Sequence, residues 1–153
     1  MKTGHYVLIG ILVLALAAGT IYGFVNYGTV NYGTACPRKA TAWFLDDYTS
    51  LVGQFSDTFN RAASTSRIAL SPVIGELQSI KRDVNSLDDV CEEATQLKAA
   101  TVYAMDASID GFMLFMADAP DDDVAAKFGE ATRWTETATR KIGVLAKAAG
   151  GGR

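Results

Sequence analysis

Glu92-Glu93-Ala94-Thr95-Gln96-Leu97-Lys98-Ala99-Ala100-Thr101-Val102-Tyr103-Ala104-Met105-Asp106-Ala107-Ser108-Ile109-Asp110-Gly111-Phe112-Met113-Leu114-Phe115-Met116 is the stretch that decides the fold. Ala94, Leu97, Thr101, Met105, Ile109, Phe112 and Met116 recur at three and four positions, the spacing that gathers side chains on one face of an α-helix. The pattern predicts a helix over about 89–118, capped by Asp88 or Asp89. Glu92 and Glu93 suit the positive end of its dipole, and Ala119-Pro120 stops it.

The same period extends in both directions. Phe44, Tyr48, Leu51, Phe55, Phe59 and Ala62 predict a helix over about 39–63. Val73, Leu77, Ile80, Val84 and Leu87 predict one over about 67–86, with Ser71-Pro72 at its N-cap or Pro72 in a first turn that begins earlier. Val124, Phe128, Ala131, Thr135, Ala138, Ile142 and Leu145 predict a fourth over about 122–147, opened by Asp121-Asp122-Asp123. Four helices on short connections read as an all-α, antiparallel up-down four-helix bundle over 38–148, followed by a Gly-rich tail, 149–153.

In that topology the first and third helices start at the same end. Cys36 stands just before the first and Cys91 opens the third, so the two are expected as neighbours and as a disulfide 55 positions apart. Two reduced, buried thiols are the alternative if the domain faces the cytoplasm.

Upstream of the bundle, Tyr6 to Val25 carries no charge over 20 residues. As a helix it spans roughly 30 Å, the hydrocarbon thickness of a bilayer. The expectation is a short cytoplasmic N-terminus, 1–5, and a transmembrane signal anchor, 6–25. It would sit N-in in a bacterial cytoplasmic membrane, with the bundle on the periplasmic or extracellular side. A signal peptide cut after Ala17, at Ala15-Leu16-Ala17, is the rival. The linker 26–37 holds Asn26-Tyr27-Gly28-Thr29-Val30 and its near repeat Asn31-Tyr32-Gly33-Thr34-Ala35. Its tyrosines are expected at headgroup level or against a partner.

Composition removes many chemistries. A single His leaves no His-rich zinc or di-iron site and no bis-His haem, and a formal net charge of −3 disfavours nucleic acid. No Walker A, GxGxxG, GxSxG, HExxH or CxxCH motif is present, so no enzyme, catalytic residue, cofactor or metal site is expected. Asp121-Asp122-Asp123 lacks the alternation and closing Glu of a calcium loop and reads as helix-start acids. Of Met105, Met113 and Met116, the first and last fall on the core stripe with Ile109 and Phe112, so the methionines read as core filling by default rather than as a metal box. Asp106 and Asp110 share a helix face, and Asp110 is predicted to clasp Arg67 at the first interhelix turn.

Gly111 to Ala117 is apolar all round, more than one core face needs. It marks either a partner surface or a patch covered by Ile68 and Leu70. Tyr27, Tyr32, Trp43, Met113 and Leu114 are the expected partner contacts.

Ser64-Thr65-Ser66-Arg67-Ile68-Ala69-Leu70, then Leu77-Gln78-Ser79-Ile80-Lys81-Arg82, Cys91 and Ile109-Asp110-Gly111-Phe112 together resemble small bacterial helical domains tethered by a signal anchor or a lipid. Those domains keep a Cys before their first helix. Many have Pro where this chain has Ser66, and the lipobox is absent here, so lipid anchoring does not carry over. The resemblance implies an extracytoplasmic helical module and no activity.

The functional expectation is therefore a single-pass, non-enzymatic accessory subunit whose partners are the bilayer and a larger integral-membrane complex. The alternative is a small-ligand or sensing module with a pocket lined by Met105, Phe112 and Phe128.

Overall fold

The computed structural model describes residues 36–150. The apolar segment 6–25, Tyr27 and Tyr32 lie outside the described residues. Among the described residues no helix is long and apolar enough to cross a membrane.

Four helices follow one another: α1 (Arg38–Ser64), α2 (Leu70–Asn85), α3 (Glu92–Met116) and α4 (Asp121–Gly150), with a single 3₁₀ turn, Arg67–Ala69, ahead of α2. Each packs on its chain neighbours, and α4 closes the ring against α1. That is the antiparallel bundle expected from the spacing. Phe55, Leu70, Leu77, Leu97 and Leu145 are fully buried in its core.

The helix ends follow local chemistry. Pro37 precedes α1, and its carbonyl accepts both the backbone N–H and the hydroxyl of Thr41 at 2.9 Å. α2 begins at Leu70, so Pro72 sits in its first turn and Ser71 is not the cap. The cap of α3 is Cys91, in extended conformation, rather than Asp88 or Asp89. Asp89 instead pairs with Lys98 at 2.6 Å, and the Lys98 ammonium donates to the Leu87 carbonyl at 2.8 Å. That lysine, 12% exposed, ties the α2–α3 connection to α3 and holds the Asp89 carboxyl below its usual range.

α3 stops by a reversal at Asp118, whose φ is 60°. Ala119 N–H donates to Leu114 O at 3.0 Å and Asp118 N–H to Phe115 O at 3.2 Å, a Schellman closure with Asp where Gly is usual. Pro120 then bars continuation. The three acids Asp121–Asp123 occupy the first turn of α4, where the dipole favours them.

α3 and α4 make the most extensive helix contact. Ala100, Ala104, Ala107 and Gly111 form a second buried stripe on α3, and Ala131, Thr135 and Ala138 are buried on α4. Small residues let two helix backbones approach closely. At Gly111 a ring of α4 fills the space a side chain would take: a Cβ there would stand 2.9 Å from Cζ of Phe128.

Gly111→Ala is therefore expected to destabilise. Overpacking costs about 1–3 kcal/mol, against about 1 kcal/mol returned by helix propensity. Gly75→Ala, with nothing within 4 Å, is expected to stabilise. Urea unfolding of both variants checks the opposite signs.

Candidate interaction surfaces

The disulfide forms as the topology requires. Cys36 and Cys91 are bonded, with Cα atoms 5.2 Å apart, at the end of the bundle where the described chain begins. A carboxylate oxygen of Glu93 lies 3.3 Å from Cys36 Sγ. Both sulfurs are committed to the disulfide, so this cluster presents no thiolate to a metal.

The Arg67–Asp110 clasp is not made. Arg67 pairs with Asp118 and Asp110 pairs with Lys127 at 3.4 Å. The correction is one of axial position. Arg67 lies beyond the last turn of α3, and Asp118 is eight residues past Asp110, or about 12 Å along a helix. Lys127 is held charged above its usual range first by Glu130 and then by Asp110. Asp106 pairs with Lys81 of α2, so Asp106 and Asp110 serve two different neighbours.

Two exposed apolar regions lie at opposite ends of α1. Trp43, 60% exposed, stands near the disulfide end with Lys39 Nζ 4.7 Å from its ring centroid. At the far end Met113 and Met116 are 44% and 37% exposed, and Leu114 is half-buried. Ile68 does not cover them; it is 95% exposed itself, while Leu70 turns inward and is fully buried. Ile68, unremarked in the sequence except as cover, joins the apolar tip as its most exposed member.

Tyr103 and Trp134 form an aromatic pair on the α3–α4 seam, with centroids 4.8 Å apart. Neither belongs to a core stripe. An open polar groove of about 620 Å³ runs between α1 and α2, lined by Asp57, Arg61, Glu76 and Asp83, and the Arg61–Glu76 ion pair crosses it.

The region proposed for a ligand is filled. Phe59 packs against Phe112 and Phe128 at centroid distances of 4.9 and 6.0 Å, and Phe112 meets Phe128 at 5.3 Å. Among the described residues no buried side-chain nitrogen or oxygen lacks a hydrogen-bond partner. The buried hydroxyls mostly donate one turn back, as Thr101 does to Leu97 O and Ser108 to Ala104 O.

Tyr48 is the deepest titratable group. Thr101 spends its proton on Leu97 O, so the Tyr48 hydroxyl donates to Thr101 Oγ1, at 2.7 Å. Burial pushes the phenol up to about 12. A raised folded-state value means the stabilisation is complete below the unfolded value near 10 and is lost as pH rises from 10 through 12. About two pH units correspond to about 3 kcal/mol. Unfolding of the native chain and of Tyr48→Phe, compared at pH 9 and pH 12, should show that extra loss in the native chain alone.

Comparison with protein-family models, with curated proteins and with solved structures gives no match. The resemblance to bacterial tethered domains gains no support from them.

Proposed function

We propose that this chain is a non-enzymatic accessory subunit of a larger membrane protein complex. In this reading segment 6–25 anchors it N-in, and the bundle stands on the extracytoplasmic side, where a disulfide persists. The observation that carries it is the apolar tip, Ile68, Met113 and Met116, exposed at the end of the bundle opposite the chain's entry. Exposed apolar side chains gathered at one end favour a protein partner. The alternative of a small-ligand module is disfavoured by the filled Phe59–Phe112–Phe128 centre.

Photo-crosslinking tests the tip. A crosslinking amino acid at Ile68 or Met113 is expected to give one discrete adduct in native membranes, and none at Asp57 on the α1–α2 groove. Adducts at Asp57 but not at the tip would reverse the assignment of the contact face.

A further inference from the structure

We propose that the disulfide end of the bundle carries a second surface, a basic and aromatic corner that seats on an anionic lipid surface. This rests on the tethering by segment 6–25. Residues 1–45 contain no Asp or Glu, and none occurs from 137 to 153. The fold brings the described parts of these two acid-free stretches together: Arg38 Nε donates to the Ala149 carbonyl at 3.4 Å, joining the start of α1 to the end of α4. Arg38 and Lys39 on α1 and Lys147 on α4 therefore share one corner of a chain whose net charge is negative, while Lys141, six residues back along α4, faces α3 and donates to Gln96 Oε1 at 2.5 Å.

Trp43 gives that corner its depth. It stands one turn above Lys39 on the outward face of α1, and helical side chains lean toward the N-terminus of their helix. Indole and ammonium thus lean together toward the end from which the chain enters. An amphipathic ring beside a lysine is the combination favoured at the headgroup level.

Position and charge select lipid as the occupant. Ten residues, 26–35, separate Val25 from Cys36, so Cys36 lies at most about 40 Å of extended chain from the end of the apolar segment. The other corner of the same end, at the α2–α3 connection, holds Asp88, Asp89 and Glu92, and Glu93 stands between the two with its carboxylate 3.3 Å from Cys36 Sγ. A negative surface attracts one corner and repels the other, so the bundle leans with α1 and α4 down.

The test uses the full chain carrying Trp134→Phe, which leaves Trp43 as the sole indole. It is reconstituted in phosphatidylcholine vesicles, with or without phosphatidylglycerol, each containing brominated lipid as quencher. Trp43 fluorescence is expected to be quenched in the anionic vesicles and much less in the zwitterionic ones. Arg38→Gln with Lys39→Gln should lower the docked-to-free ratio about 25-fold, fivefold for each cation. Circular dichroism of that variant controls for folding.

Alkaline carbonate extraction reports the tether separately. Retained chain with unquenched Trp43 overturns the corner and leaves the tether standing. Extracted chain with Trp43 quenched only by anionic vesicles overturns the tether and supports the corner. Equal quenching in both lipids, or none in either with the chain extracted, overturns the corner.

Discussion

With Cys36→Ser and Cys91→Ser the bundle is expected to lose about 4 kcal/mol of unfolding free energy. The bond closes a loop of 55 positions, and the chain-entropy relation gives that magnitude for the freedom it removes from the unfolded chain. The site adds a reason to expect the full effect. Cys91 is the cap of α3 and Cys36 stands two residues before the start of α1, so the bond fixes both helix starts at once. Domains of this size are stable by about 5–15 kcal/mol, so such a loss moves the urea midpoint far down. Denaturation of the oxidised chain, the reduced chain and the double variant checks it. The reduced chain and the double variant should coincide. A loss under about 1 kcal/mol would mean that the reduced, unfolded chain already keeps these ends together.

Phe59→Ala is the second large effect, an expected loss of about 3–5 kcal/mol. Its ring is buried against Phe112 and Phe128, on three different helices with theirs, and Gly111 lacks a side chain because Phe128 occupies the space. Neither neighbour can close the gap without giving up the other contact, so most of the cavity should persist. Phe128→Ala should cost less, since that ring is only half-buried. Equilibrium unfolding of the two variants orders them. Equal losses would mean that the trio collapses freely, and that Gly111 is not held glycine by Phe128.

The bundle was legible in the sequence because each helix carries a strong apolar stripe and the connections are short. Phe44, Tyr48, Phe55 and Phe59 on α1, and Leu97, Met105 and Phe112 on α3, were read from spacing alone and are buried. The disulfide was legible for a different reason. Up-down topology puts the starts of α1 and α3 at one end, whatever the packing details.

What spacing did not convey is physical too. α3 touches both α2 and α4 and so needs two buried stripes. The second, Ala100, Ala104, Ala107 and Gly111, is made of small residues whose periodicity carries little hydrophobic signal. Charge pairing failed at Arg67 because a helix-end residue meets what lies beyond the partner helix, and Asp118 became available only through its left-handed turn. Capping failed at α3 because Lys98 draws Asp89 away from the helix start. Ile68 leaves the tip uncovered because no residue of the 3₁₀ turn is buried, and Leu70, the first residue of α2, takes the inward position beside it.

The proposed accessory role places the partner contact at the exposed tip. The most direct measurement is the native mass of the full chain, tagged at its C-terminus and extracted from its own membranes in mild detergent. Mass spectrometry of the co-migrating proteins accompanies it. Migration in one large, defined assembly, broken by Ile68→Asp with Met113→Asp, is the result expected of an accessory subunit. Migration as a lone monomer or dimer, unchanged by those substitutions, would contradict it.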